Sequence, residues 1–217
     1  MRFTDSPVIE LDVGGSHLSI QQDNGSMHVG TSVWPCALVL AKFVDRWSSS
    51  STPNPYSHLF QFRQKRAVEL GTGCGPAGMA LHLLGLDIVL TDIAPVMPAL
   101  KRNLKRNKPA LGKLPKIAQV YWQNDKQLDD LRPPFDFVIA ADVVYIEESV
   151  ASLISAMEKL VSPTGVVLLG YQVRSPEAHR KFWELCESAF VVEKVPHEDL
   201  HPDYAYEEAD VYIMRKK

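Results

Sequence analysis

Cysteine is scarce. The chain has Cys36, Cys74 and Cys186, an odd number without a C-x-x-C pair, which excludes a disulfide framework or a zinc cluster and fits a reducing compartment. The seven histidines (His17, His28, His58, His82, His179, His197 and His201) fall without ligand spacing, so no metal site is expected. No apolar run approaches the roughly 20 residues of a membrane span, and the opening Met1-Arg2-Phe3-Thr4-Asp5 has no apolar leader segment. The expectation is a soluble chain without membrane contact, placed in the cytoplasm and also compatible with the nucleus. Nor is there an excess of positive charge: 23 Lys and Arg face 26 Asp and Glu, a net charge of -3. A general attraction to nucleic acid is thereby removed. What remains is an apolar fraction of 46% over 217 residues, enough for one well-filled core.

The chain is organised around residues 67–92. Ala67 to Leu70 read as a short buried strand, and Gly71, Gly73 and Gly75 then strip the side chains from a tight turn that a ligand can approach closely. Pro76 suits the first turn of a helix that runs to Gly85. Asp87 to Leu90 form a second apolar run ending in Thr91 and Asp92. The unit is strand, glycine turn, helix, strand and acid, in which a carboxylate at the tip of the second strand accepts hydrogen bonds from ribose hydroxyls. A dinucleotide fingerprint begun at Gly71 fails at Pro76, whereas one begun at Gly73 runs through Gly75 and Gly78, so the glycines alone leave the nucleotide open. Glu69, two residues before the first glycine, adds an acid that resembles the first motif of S-adenosylmethionine-dependent methyltransferases.

Around this unit the sequence alternates strands and helices, as a mostly parallel sheet requires. Val8–Val13 and His17–Gln21, joined by Gly14-Gly15, form a hairpin in an N-terminal extension over residues 1–30, followed by a single domain over 31–217. A helix opens near Thr31 or Ser32 with Trp34 in its first turn. Residues 48–56 are Ser- and Pro-rich and read as a surface loop. The spacing predicts a helix over 95–107 whose Lys101, Arg102, Lys105, Arg106 and Lys108 make a solvated face. Further strands are expected over 117–122, 135–140 and 165–173, helices over 147–161 and 176–190, and an antiparallel closing pair over 191–195 and 211–214.

Four stretches occur in order: Val33-Trp34, Glu69 to Gly75, Thr91-Asp92, and Ala140-Ala141-Asp142-Val143-Val144-Tyr145. Together they resemble the methyltransferase-like family of seven-stranded protein-lysine methyltransferases, the group that modifies chaperones and the valosin-containing AAA ATPase. The resemblance covers roughly residues 8 to 215. It implies an α/β, Rossmann-like sheet of order 3-2-1-4-5-7-6, S-adenosylmethionine as cofactor with S-adenosylhomocysteine as product, a protein substrate bearing the target lysine, and a monomer. Family positions that line the cofactor fall on Trp34, Glu69, Gly71, Thr72, Gly73, Asp92, Trp122 and Ala141, and the catalytic Asp-x-x-Tyr pair on Asp142 and Tyr145. The turn departs from the family's commoner Gly-Ala-Gly-Thr-Gly-Leu by reading Gly-Thr-Gly-Cys-Gly-Pro, which keeps its glycines.

Plainer readings stand beside these. Trp34 and Trp122 also fit core aromatics, and Glu147 and Glu148 suit the first turn of any helix. Pro133-Pro134-Phe135 precedes the fourth strand instead of following it, which argues against a base methyltransferase. A small-molecule N-methyltransferase and a cofactor-binding module without catalysis remain the alternatives.

Overall fold

The computed structural model describes residues 5–48 and 54–217, so most of the Ser-rich 48–56 stretch lies outside the described residues. β1 (Val8–Val13) and β2 (Ser16–Gln21) pair antiparallel about Gly14 and Gly15. The hairpin alternates as a half-buried ribbon should: Ile9, Leu11, Val13, Leu18 and Ile20 join the core. Its outer strand is secured by two asparagines of the 95–107 region. Asn103 Oδ1 accepts from the Gln21 N–H at 2.9 Å while its amide donates to the Gln21 carbonyl at 3.0 Å, and Asn107 does the same for Ser19 at 2.8 and 2.9 Å. Side-chain amides thus stand in for a neighbouring strand.

Next come α1 (Pro35–Ser48), β3 (Arg66–Leu70), α2 (Pro76–Leu83), β4 (Asp87–Asp92), α3 (Met97–Arg106), α4 (Lys108–Leu111), β5 (Lys116–Gln119) and α5 (Asp125–Asp130). The chain finishes with β6 (Phe135–Ala141), α6 (Glu147–Leu160), β7 (Val161–Tyr171), α7 (Pro176–Ala189), β8 (Phe190–Lys194) and β9 (Asp210–Lys216). The main sheet has the order β5-β4-β3-β6-β7-β9-β8, which is 3-2-1-4-5-7-6 when counted within that sheet, as expected. β3 to β7 run parallel and β9 is antiparallel to both its neighbours. Parallel strands covered on both faces need uninterrupted apolar runs, and Phe137 to Ala140 supply one. Two cores result, one holding the hairpin, α1, α2 and α3, the other α6 and α7.

Several boundaries differ from the sequence reading. β5 ends at Gln119, which leaves Trp122 in a turn. The helix expected over 95–107 begins two residues later and is followed by the short α4. α5 went unanticipated because its segment is charged and buries only Leu128; Asn124 caps it by accepting from the Gln127 N–H at 3.1 Å. Helix α1 starts at Pro35, so Trp34 lies just before the helix instead of within it.

Two close contacts set the geometry of the sheet's carboxyl edge. Helix α1 crosses β7 at Gly170, where a Cβ would stand 2.6 Å from the Cys36 carbonyl oxygen. Beneath the glycine turn, Glu69 is buried among β3, β4 and α2. Its carboxyl accepts from the Thr72 hydroxyl, and a Cβ on Gly78 would be 2.2 Å from Glu69 Oε2. Burial pushes the Glu69 carboxyl up to about 8, against the opposing pull of hydrogen bonds from Thr72 and the Gly78 N–H.

Gly170→Ala will destabilise the fold by about 1–3 kcal/mol, because the obstructing atom is backbone; the midpoint of urea unfolding measures it. Glu69 gives a pH signature. Between its ordinary 4.5 and about 8, the folded state keeps a proton that the unfolded chain releases, so this group's contribution is full below that range and is lost as pH rises through it. Wild-type stability should therefore fall relative to Glu69→Gln by up to about 1.4 kcal/mol per pH unit across that window. Parallel stability curves for the two proteins would refute this.

Candidate active site

The carboxyl ends of β3, β4 and β6 open into one cavity of about 470 Å³, where ligands bind in open α/β sheets. Its floor is the turn after β3. Gly71 and Gly73 take φ values of 68° and 58°, the left-handed region that glycine enters without steric cost. Space requires glycine too. A Cβ on Gly71 would lie 2.8 Å from Val143 and 3.4 Å from the Trp122 ring, and one on Gly73 would lie 3.0 Å from the Gly30 carbonyl oxygen.

Asp92 ends β4 and is buried. One carboxylate oxygen accepts from the Gly73 N–H at 2.7 Å and the other from the Ile93 N–H at 2.8 Å, so the acid at the second strand's tip holds the glycine turn in place. Burial raises its proton affinity while these two N–H groups lower it. With no cation in the described ion pairs, Asp92 keeps spare lone pairs facing the cavity.

Asp142 directly follows β6 with φ 59°, which aspartate tolerates better than most residues. Its side chain is 3% exposed and pairs with Arg174 through two bonds of 2.7 Å, from Nε to Oδ1 and from Nη2 to Oδ2. The guanidinium also lies 4.9 Å from the Trp34 ring centroid. Trp34 in turn donates its indole N–H to the Val29 carbonyl at 2.9 Å. The chain Asp142, Arg174, Trp34, Val29 therefore ties the end of β6, the loop after β7 and the segment before α1 into one wall. Tyr145 stands at the mouth, 40% exposed; burial, with Asp92 adding to it, pushes its hydroxyl up, so it stays protonated and able to donate.

Of the residues expected at the site, Trp34, Gly71, Thr72, Gly73, Asp92, Trp122, Ala141, Asp142 and Tyr145 all line the cavity. Glu69 does not: it lies beneath the turn and supports it through Thr72. Neither tryptophan is a fully buried core ring, since both are half-buried along the cavity wall. The sequence reading missed Arg174 because a lone arginine 32 residues after Asp142 carries no local signal. It also missed the Met27–Gly30 wall, which distant segments bring into place: a Cβ on Gly30 would lie 2.9 Å from Val96, and one on Gly73 3.0 Å from the Gly30 carbonyl oxygen.

These groups fit S-adenosylmethionine. Asp92 suits a ribose diol, Trp122, Ile93 and Val96 offer apolar surface for a purine, and the side-chain-free turn lets the rest of the molecule lie against backbone.

A family model described as lysine methyltransferase matches residues 13–189. The chain is 28% identical over 200 residues to protein N-lysine methyltransferase METTL21A of Danio rerio, covering 91% of this chain and 85% of the relative. It is 28% identical over 170 residues to EEF1A lysine methyltransferase 3 of Mus musculus, covering 78% and 67% respectively. Among solved structures, a 16S rRNA methyltransferase of T. thermophilus bound to AdoMet and guanosine superposes with a TM-score of 0.64 over 97% of this chain and 50% of that one; at 16% identity it speaks for the fold alone. With its family match spanning most of the sheet and the cavity built as the cofactor requires, the chain belongs to the lysine methyltransferase family and is an S-adenosylmethionine-dependent protein-lysine methyltransferase.

Proposed function

We propose that Asp92 and the glycine turn hold the cofactor, and that Asp142 and Tyr145 frame an acceptor lysine belonging to a folded protein of the chaperone or AAA-ATPase kind. The mouse relative, named for EEF1A, widens the class of targets to that protein. The enzyme acts as a monomer in the cytoplasm, with the nucleus also open to it; its three cysteines, all free and buried, suit a reducing compartment. The observation that carries the assignment of roles is the different state of the two cavity acids. Asp92 is bound by backbone N–H groups alone, whereas Asp142 is neutralised by Arg174.

When bound, S-adenosylmethionine supplies a methyl group on a sulfonium centre, open to in-line attack. The protein's task is then alignment and exclusion of water. Lysine has an ordinary pKa of about 10.4 and must shed its proton to expose a lone pair. Asp142 is poorly placed to take that proton, because Arg174 occupies both its oxygens. Its work is to fix the end of β6, from which Ala141, Val143 and Tyr145 project into the cavity. Tyr145 offers a ring against which an alkylammonium stem packs, and a hydroxyl whose oxygen accepts from the ammonium and which can donate only once the amine is neutral.

Asp92→Ala should weaken S-adenosylmethionine binding by at least roughly 1.5–3 kcal/mol, the range for hydrogen bonds to a charged group, since it removes the ribose acceptor together with the bond that holds the Gly73 N–H. Calorimetric titration measures this, and unchanged affinity removes Asp92 from the ribose. Incubation with labelled cofactor and a soluble extract tests the acceptor: label should resist nuclease, be lost with protease and emerge as methyl-lysine. Label in a free metabolite would favour the small-molecule alternative.

The Asp142–Arg174 pair makes a separate prediction. Arg174→Met strands a buried carboxylate and should cost about 3–5 kcal/mol of stability, whereas Arg174→Met combined with Asp142→Asn should recover much of that loss. Equal destabilisation of the single and double variants in thermal unfolding would show that the pairing is not what matters there.

A further inference from the structure

Eight large apolar side chains are exposed among the described residues, and five of them, Met27, Val29, Ile93, Tyr145 and Ile146, ring the mouth of the same cavity. Scattered single exposures are ordinary, but a cluster around a site marks a contact surface. Met27 is 94% exposed and Ile146 45%, so both leave apolar surface open to a partner.

The loop carrying Met27 is braced at its base. The Asp23 N–H donates to the Thr31 carbonyl at 2.8 Å, the Val33 N–H to Gln22 Oε1 at 2.7 Å, and Ser32 Oγ to Asn24 Oδ1 at 3.1 Å. The Thr31 hydroxyl lies 2.7 Å from the His28 carbonyl. The tip is thus presented on a hydrogen-bonded base, and among the described residues no hydrogen bond draws Met27 inward.

Directly after Ile146 come Glu147 and Glu148, both exposed at the start of α6 and in no ion pair among the described residues. Neither lines the cavity. A cation attracted to them therefore sits outside the mouth, beside the target lysine, which itself enters the cavity.

We propose that this rim is the docking surface for an extended segment of the substrate protein in which the target lysine is flanked by large apolar side chains and followed or preceded by a second cation. The apolar neighbours cover Met27, Val29 and Ile146, and the second Lys or Arg meets Glu147 and Glu148. The inference rests on the protein-lysine methyltransferase reading and adds to it the chemistry of the recognised segment. Because the acids are solvent-exposed, their share of the recognition is screened by salt, whereas the apolar share is not.

The test uses synthetic peptides with a single target lysine: one with leucines flanking it and an arginine nearby, one with serines for the leucines, and one with serine for the arginine. Wild-type enzyme with labelled cofactor should methylate the first at least about tenfold faster than the second, the discrimination expected from apolar contacts in a pocket. The loss of arginine should matter at low salt and fade at high salt. Met27→Ser and Ile146→Ser should erase the leucine preference while calorimetry shows S-adenosylmethionine affinity within about twofold of wild type. Equal rates on all three peptides overturn the proposal. So does a fall in cofactor affinity that matches the fall in rate, which would make the rim a cover over the cofactor. Labelling of proteins in a soluble extract without labelling of any peptide also overturns it, since a folded surface would then be read in place of an extended segment. A wild-type enzyme that binds cofactor yet labels neither extract nor peptide sinks the methyltransferase reading itself, and this proposal with it.

Discussion

Burying a carboxyl group costs several kcal/mol unless its charge is removed or matched, and this protein buries three of them near the ends of three adjacent parallel strands. Each is accommodated differently. Glu69 on β3 has a raised proton affinity and carries the Thr72 hydroxyl. Asp92 on β4 is satisfied by two backbone N–H groups, and Asp142 after β6 by a guanidinium. The site depends on these three solutions, because each one fixes a different piece of the cavity: the underside of the glycine turn, its upper edge, and the wall opposite.

The division of labour follows from the partners. A carboxyl whose two oxygens both accept from Arg174 is best used as an anchor, whereas Asp92 retains lone pairs toward the cavity and suits hydroxyl donors. Glu69, although two residues before the first glycine, acts only through the turn. Environments that push similar groups apart in this way are how one fold separates binding from positioning. The hydrophobic rim then contributes what the buried acids do not, a surface that meets a macromolecule.

The hairpin shows the same economy in neutral groups. Asn103 on α3 and Asn107 at its end pair with the backbone of β2, and Asn103 also donates to the Cys74 carbonyl at 3.1 Å. One helix thereby links the N-terminal ribbon to the end of the glycine turn. The Met27 loop issues from this ribbon, so the outer rim and the cofactor floor share a support.

Sequence by itself determined the strands and the glycine turn, because buried parallel strands must read as unbroken apolar runs such as Phe137 to Ala140 and turns of this kind must be glycine, while the order of the sheet was implied by the family resemblance that the motifs carry. It also determined the line of residues at the strand tips, from Gly71 to Asp92 and Ala141 to Tyr145, since the position of a strand's end is a local property of the chain. Tertiary structure alone decided what those residues do. Nothing near Asp142 in sequence announces Arg174, nothing near Glu69 says that it lies under the turn instead of in the cavity, and Met27 becomes a rim residue because its loop packs beside Val96 and the glycine turn, both distant in sequence. The physical reason is range: hydrophobic period and backbone conformation are written within a few residues, whereas the partner that fixes a buried charge is supplied by whichever distant segment the fold brings beside it.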